Sequence, residues 1–163
     1  MQTLRYISAK TPTGDFHIIF NSSEVALASG FGSLEALSKR LPGDIGGFTL
    51  SVAKGHEYER LVSLYFTGDR DSLKSIPYLQ TGSDFQESIW SAMEKIPYGE
   101  VSTYKELAAS AGYPGAVRAV GTTCGSNRLV LLIPCHRIVR SDGQVGEYVY
   151  GRSIKQYLLD MES

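Results

Sequence analysis

The sequence predicts an α+β chain in two parts, a small α/β half followed by a mainly helical half. Two observations predict it. Up to residue 52 most apolar positions alternate in short runs broken by turn residues, whereas from Asp84 onward they recur at helical spacing. Within the second half, two short helices flank a Gly-containing break, the pattern of a helix-turn-helix. A connector from Ser75 to Gly82, with Pro77 and Gly82, separates the halves. The expected organisation is an N-terminal domain over 1–76, a linker over 77–83 and a C-terminal domain over 84–163.

In chain order, Leu4, Tyr6 and Ser8 alternate, Pro12-Thr13-Gly14 turns the chain, and Phe16, Ile18 and Phe20 alternate again, a hairpin. Val25 to Gly30 forms a third strand. Leu34, Leu37, Ser38 and Leu41 sit at helical spacing, and Pro42-Gly43 ends that helix. Phe48 to Val52 is a further strand, and Glu57 to Phe66 a second helix closed by Gly68. In the second half, Asp84 is the expected N-cap of a helix presenting Phe85, Ile89, Trp90, Met93 and Ile96 and stopped by Pro97. Thr103 and Glu106 have capping-box spacing for a helix that buries Leu107, Ala108 and Ala111 and ends at Gly112. Ala116 to Cys124 follows as a helix with Val117, Val120, Gly121 and Cys124 on its inner side. Ser153 and Gln156 form another capping box, opening a helix with Ile154, Tyr157, Leu158 and Met161 inward.

The chain has 163 residues, 42% hydrophobic and 20% charged, with 16 Lys plus Arg against 17 Asp plus Glu. That balance excludes disorder and fibrous repeats. The longest apolar run, Leu129 to Ile133, is read as a buried strand and is far below the roughly 20 residues that span a bilayer. No secretory h-region opens the chain. Two cysteines are too few for a disulfide framework, and Cys124, Cys135 and His136 lack the paired spacings of structural zinc. The expectation is a soluble, cytoplasmic monomer without membrane, metal or cofactor. Charge is unevenly spread: seven basic residues from Thr103 to Lys155 face three acidic ones, a local surplus of four. Such a surface suits a phosphate backbone, and equally an ordinary solvated face.

The most informative segment for chemistry is Leu132-Ile-Pro-Cys-His-Arg-Ile-Val139. Pro134 cannot donate to a strand ladder, so the chain ends a strand or turns there. The thiolate is the reactive form of cysteine, and an imidazole oriented by a carboxylate activates it. His136 adjoins Cys135, and Glu162 on the last helix is the most attractive distant carboxylate. A lone cysteine is as a rule a small core residue, so the adjacency by itself leaves both readings open. Cys124 is read as core, and His17 and His56 as surface or edge residues.

From Phe85 to Glu162 the chain resembles the O6-alkylguanine-DNA alkyltransferases, the methylated-DNA–protein-cysteine methyltransferases. The resemblance rests on Phe85-Gln86 with Trp90, Ile96-Pro-Tyr-Gly-Glu-Val101, Tyr104, Arg118-Ala-Val-Gly121, Asn127 and Ile133-Pro-Cys-His-Arg137. Asp142-Gly143, Gly146, Tyr148, Gly151 and Leu158-Leu159 with Glu162 follow in order. The first half matches loosely, through Leu64-Tyr-Phe66 and Gly68. The implied fold is a ribonuclease H-like α/β domain followed by a winged helix-turn-helix domain. The implied activity is a single-turnover transferase that flips O6-alkylguanine, and less surely O4-alkylthymine, out of duplex DNA and moves the alkyl group irreversibly to Cys135. His136 would deprotonate Cys135 through an ordered water, Glu162 would complete the relay, Asn127 would hold the active-site segment, and Tyr104 would donate to the guanine.

DNA would be met from the minor groove by Thr103, Ala116, Arg118, Ala119 and Gly121, with Arg118 filling the gap left by the flipped base. Pro134, Tyr148, Val149, Tyr150 and Gly151 would line the pocket. The departures from the family pattern are Val149, which removes a hydroxyl; Tyr150, which adds bulk; and Arg128, which stands where proline usually follows the asparagine. Two other classes compete: a non-catalytic lesion sensor, which replaces the cysteine that is present here, and a Cys–His–Glu hydrolase, which needs turnover.

Overall fold

The structure, a computed structural model, describes residues 1–163 and comprises two compact units, Met1–Gln80 and Thr81–Ser163. In the first, strands β1 (Gln2–Thr11), β2 (Gly14–Phe20), β3 (Ala26–Phe31) and β4 (Phe48–Val52) form one sheet in the order β3-β2-β1-β4. The expected hairpin is β1–β2, antiparallel from Arg5 opposite Phe20 to Thr11 opposite Gly14; β4 joins β1 in parallel. Phe16 to Phe20 on β2 are all buried, so this strand is covered on both faces. Helix α1 (Leu34–Ser38) lays Leu37 in a core with Leu4, Ile19 and Ala28. On the opposite face, helix α2 (Glu57–Tyr65) buries Tyr58, Leu61, Val62 and Tyr65, with the Tyr58 ring 5.2 Å from that of Phe20.

Two expectations here are corrected. α1 ends at Ser38, and Leu41 reaches the core from the turn that follows. His17 is buried, because β2 is central: its Nδ1 lies 2.7 Å from Ser8 Oγ across the strand pair and its Nε2 2.7 Å from the Gly32 carbonyl. His56 caps α2, accepting from the Tyr58 amide while its Nε2 meets the Glu24 carboxylate. Residues 77–79 run along β3, with the Ala26 amide donating to Pro77 O and the Leu79 amide to Ala26 O.

The second unit contains α3 (Asp84–Glu94), β5 (Ser102–Thr103), α4 (Tyr104–Ser110), α5 (Val117–Gly125), β6 (Ile138–Val139) and α6 (Arg152–Glu162); β5 and β6 pair in parallel. Ile89, Trp90 and Met93 form the buried stripe of α3, and the Trp90 indole donates to Thr123 O of α5 at 3.3 Å. The Thr103–Glu106 capping box forms as expected. Four expectations change. Ser83, not Asp84, caps α3, in a reciprocal box with Gln86. Val117 is 39% exposed at the first turn of α5. Leu129 to Ile133 is a buried turn, not a strand: Leu131 has φ 72° and the Ile133 amide donates to Leu129 O at 2.8 Å. α6 starts from Gly151 with no side-chain cap, and its buried stripe is Lys155, Leu158 and Glu162, with Tyr157 exposed.

Burial sets that last register: the helix turns two of its ionisable groups, Lys155 and Glu162, inward, where each finds partners, against the apolar periodicity. Ser83→Ala should therefore cost about 1 kcal/mol in urea unfolding, whereas Ser153→Ala should stay within about 0.5 kcal/mol of the parent.

Candidate active site

The site is assembled by a turn that doubles back. Asn127, fully buried just beyond α5, donates from Nδ2 to Ile133 O at 2.9 Å and accepts the Leu129 amide on Oδ1 at 3.0 Å, so one side chain closes both ends of the apolar turn. The Asn127 amide also donates to Cys124 O at 3.3 Å. Pro134, with φ −81° and ψ 66°, then directs the chain into a 3-10 turn over Cys135–Arg137. Arg128 donates to Thr81 O at 3.2 Å, anchoring the residue that follows Asn127.

His136 and Glu162 meet as the sequence implies: Nε2 lies 2.8 Å from the Glu162 carboxylate, and both residues are buried. That contact makes Nε2 the protonated nitrogen and leaves Nδ1 as the acceptor; Nδ1 is buried with no hydrogen-bond partner in the chain. Burial holds the imidazole pKa below its ordinary value, outweighing the pull of Glu162. Arg137, within the Pro-Cys-His-Arg motif, completes the arrangement. It grips Glu162 from Nε at 2.8 Å and Nη2 at 3.0 Å, while Nη1 donates to Ile96 O at 2.8 Å. The bidentate fork supplies the positive charge that the carboxylate needs, so His136 can remain neutral.

A cavity of about 200 Å³ opens beside Cys135, which is 5% exposed. Tyr104, Gly121, Tyr148 and Val149 line it together with both cysteines, Gly125 and Glu147. Cys124 is thus a lining residue, not simple core. Its thiol is pushed up to about 12, chiefly by burial and then by the charge of Cys135. Tyr104 is likewise raised to about 12 by burial, so it remains a hydroxyl donor. Gly146 passes close to that hydroxyl: a Cβ there would stand 3.2 Å from Tyr104 Oη. Lys155 is the residue that sequence periodicity missed. It is fully buried, donates to Ile138 O at 2.5 Å and Glu147 O at 3.0 Å, and is lowered to about 8 by burial. Its only sequence signal is a basic residue one turn before Leu158.

The remaining expected site residues are spread around this centre. Tyr150 stands behind Tyr148, with ring centroids 6.0 Å apart, and Gly151 begins α6; neither they nor Pro134 borders the cavity. Gly121 faces the cavity, while Arg118 and Ala119 are exposed on α5 and Ala116 is its half-buried N-cap. Thr103 caps α4. No group of three or more His, Cys, Asp and Glu residues is arranged to hold a metal ion.

A sequence-family model described as "6-O-methylguanine DNA methyltransferase, DNA binding domain" matches residues 84–163. The methylated-DNA–protein-cysteine methyltransferase of Methanosarcina acetivorans is 39% identical over 106 residues, 65% of this chain and 67% of that protein. The chain belongs to this family. The Methanosarcina barkeri protein of the same name is 46% identical over 108 residues, 65% of this chain and 66% of its own length. Two longer curated relatives are spanned only to 27% and 42% of theirs, so the first relatives matched extend beyond the aligned segment by more than a third. A crystal structure of Mycobacterium tuberculosis OGT in complex with DNA superposes with a TM-score of 0.79 at 28% identity, covering 97% of this chain and 92% of that one.

The titrations of this family member's site are expected to appear in its stability. Unfolded, His136 takes up a proton near 6.5, whereas the buried imidazole resists it; the unfolded state binds more protons below pH 6.5, so stability falls on acidification through that value. Lys155 titrates near 10.5 unfolded and about 8 folded, so its burial penalises the fold below pH 8 and the penalty fades as pH rises to 10.5. Urea midpoints should show the wild type gaining on Lys155→Met from pH 8 to 10.5 and losing ground to His136→Asn below pH 6.5. Curves parallel to the parent would refute these assignments.

Proposed function

We propose that the chain repairs alkylated duplex DNA by moving the alkyl group from guanine O6, and less surely from thymine O4, to its own Cys135 in a single turnover. The observation that carries this reading is the buried His136, whose Nε2 meets Glu162 and whose own Nδ1 has no partner in the chain, in the turn that begins with Cys135. His136 Nδ1 takes the thiol proton through a bridging water, and the Glu162–Arg137 pair stabilises the imidazolium that forms. The thiolate attacks the alkyl carbon, a C–S bond forms as the C–O bond breaks, and the guanine leaves as an anion. Tyr104, kept protonated by burial, donates to that anion, with Lys155 close to its ring at 5.9 Å. The thioether is stable, so each molecule reacts once.

The alkylated base reaches the cavity only by leaving the duplex, which costs a few kcal/mol. In our reading α4 and α5 are the helix-turn-helix, the short β5–β6 pair supports its wing, and the first unit is the ribonuclease H-like domain, with 1–76 and 84–163 as domains and 77–83 as their joint. α5 enters the minor groove: Ala119 is exposed and small beside Arg118, as a helix in a narrow groove requires. Arg118 occupies the gap left by the flipped nucleotide, and Thr103 and Ala116 flank the groove. Tyr148 and Val149 form the wall beside the base, with Tyr150 and Gly151 behind it, and Val149 leaves only backbone groups to meet the guanine oxygen. No helix is long and apolar enough to cross a membrane; we read the protein as a cytoplasmic monomer.

Intact mass after incubation with a duplex carrying one O6-methylguanine tests the reading. One methyl per chain is expected, mapped to Cys135 and absent from Cys135→Ser; tight lesion binding with no mass change would replace transfer with sensing. Arg118→Ala should slow transfer from duplex about ten- to a hundredfold, the loss of about 1.4–2.8 kcal/mol of flipped-state stabilisation, and leave transfer from a single-stranded oligonucleotide nearly unchanged.

A further inference from the structure

The two cysteines of the chain line one cavity, although they lie on different elements. Cys124 is in the last turn of α5, and Cys135 opens the 3-10 turn. The intervening segment is folded back on itself by Asn127, whose amide bonds Cys124 O and whose side chain bonds Ile133 O, two residues before Cys135. The Cys135 amide in turn donates to Ile133 O at 2.8 Å. Both are thiols with no disulfide between them, and the alkyl-transfer reading uses only one. We infer that Cys124 is a resolving thiol for Cys135: when a hydroperoxide oxidises Cys135, Cys124 captures it in an intramolecular disulfide. The role assigned to Cys135 rests on the proposed alkyl transfer; the pairing of the thiols does not.

The chemistry balances in two steps. The Cys135 thiolate attacks one peroxide oxygen, the O–O bond breaks, the second oxygen leaves as water after protonation, and Cys135 becomes a sulfenic acid. The Cys124 sulfur then attacks the Cys135 sulfur, the S–O bond breaks, and the oxygen departs as water with the Cys124 proton. A peroxide molecule, little larger than water, fits a cavity of about 200 Å³. Electrostatics order the events. While Cys135 carries a negative charge it helps to hold Cys124 protonated; conversion to the neutral sulfenic acid removes that charge, and the Lys155 ammonium then favours ionisation of Cys124. A sulfenic acid with no thiol beside it proceeds to the irreversible sulfinic acid. For a protein whose acceptor thiol is used once, capture by Cys124 keeps the unspent sulfur recoverable.

The experiment treats reduced protein with hydrogen peroxide in the presence or absence of dimedone, followed by non-reducing peptide mapping and, after dithiothreitol, methyl transfer from an O6-methylguanine duplex. Each protein is scored against its own unoxidised activity. The wild type should lose two hydrogens, yield a linked Cys124–Cys135 peptide, give little dimedone adduct and recover most of its activity with dithiothreitol. Cys124→Ser, close in shape, and Cys124→Ala should both accumulate the dimedone adduct or sulfinic acid at Cys135 and recover at least fivefold less. A wild type that reaches sulfinic acid as fast as the variants, or that shows no linked peptide, overturns the inference. The two readings fail separately: a linked peptide from reduced protein that never accepts a methyl group counts against alkyl transfer alone, and methyl acceptance without linkage counts against the thiol pair alone.

Discussion

A carboxylate withdrawn from water must be compensated or it will take up a proton, and Glu162 is compensated from two sides. The Arg137 fork neutralises it while His136 donates a single N–H. Three elements far apart in the chain hang on this arrangement. Arg137 also holds Ile96 O at the end of α3, Glu162 is the last residue of α6, and His136 lies in the turn that presents Cys135. With Arg137 absent, the Glu162 charge would be buried against a neutral imidazole alone, a far larger penalty than loss of a surface ion pair carries. Because the guanidinium meets the electrostatic demand, the imidazole need not be charged, and its second nitrogen can act as a base.

Asn127 plays the corresponding part for the backbone. An apolar run such as Leu129 to Ile133 would by preference extend, yet here it closes into a turn with Leu131 at positive φ. The amide of one side chain makes the conformation tolerable, because it satisfies a buried N–H and a buried C=O that the turn leaves open. Arg128 adds a tie from this turn to Thr81.

Much of this was legible in the sequence and some was not, for physical reasons. The β1–β2 hairpin, the α4–α5 helix pair and the His136–Glu162 contact follow from alternation, capping pairs and a specific motif, all local signals. Ser83 was passed over for Asp84 because both residues cap well, and only the reciprocal bond to Gln86 decides between them. The Leu129–Ile133 turn has the composition of a strand; what reverses it is a side chain two residues upstream. Lys155 is invisible to hydrophobic periodicity, since a buried lysine satisfied by two carbonyls looks on a helical wheel like a polar residue on the wet face. The same misreading displaced Tyr157 inward. Arg137 was in view throughout, but its partners, Glu162 and Ile96, are distant in sequence.

Gly151 joins the cavity wall to α6, the helix that carries Lys155 and Glu162. Its φ is 98°, and a Cβ placed there would meet no atom within 4 Å, so the constraint is conformational and not one of space. The consequence is modularity. Side chains at 148 and 149 can be exchanged by drift or selection, reshaping the cavity wall, without rotating the helix that carries Lys155 and Glu162. The joint itself tolerates no such freedom. A lineage reshaping this cavity would be expected to rewrite Tyr148 and Val149 many times and the glycine itself almost never.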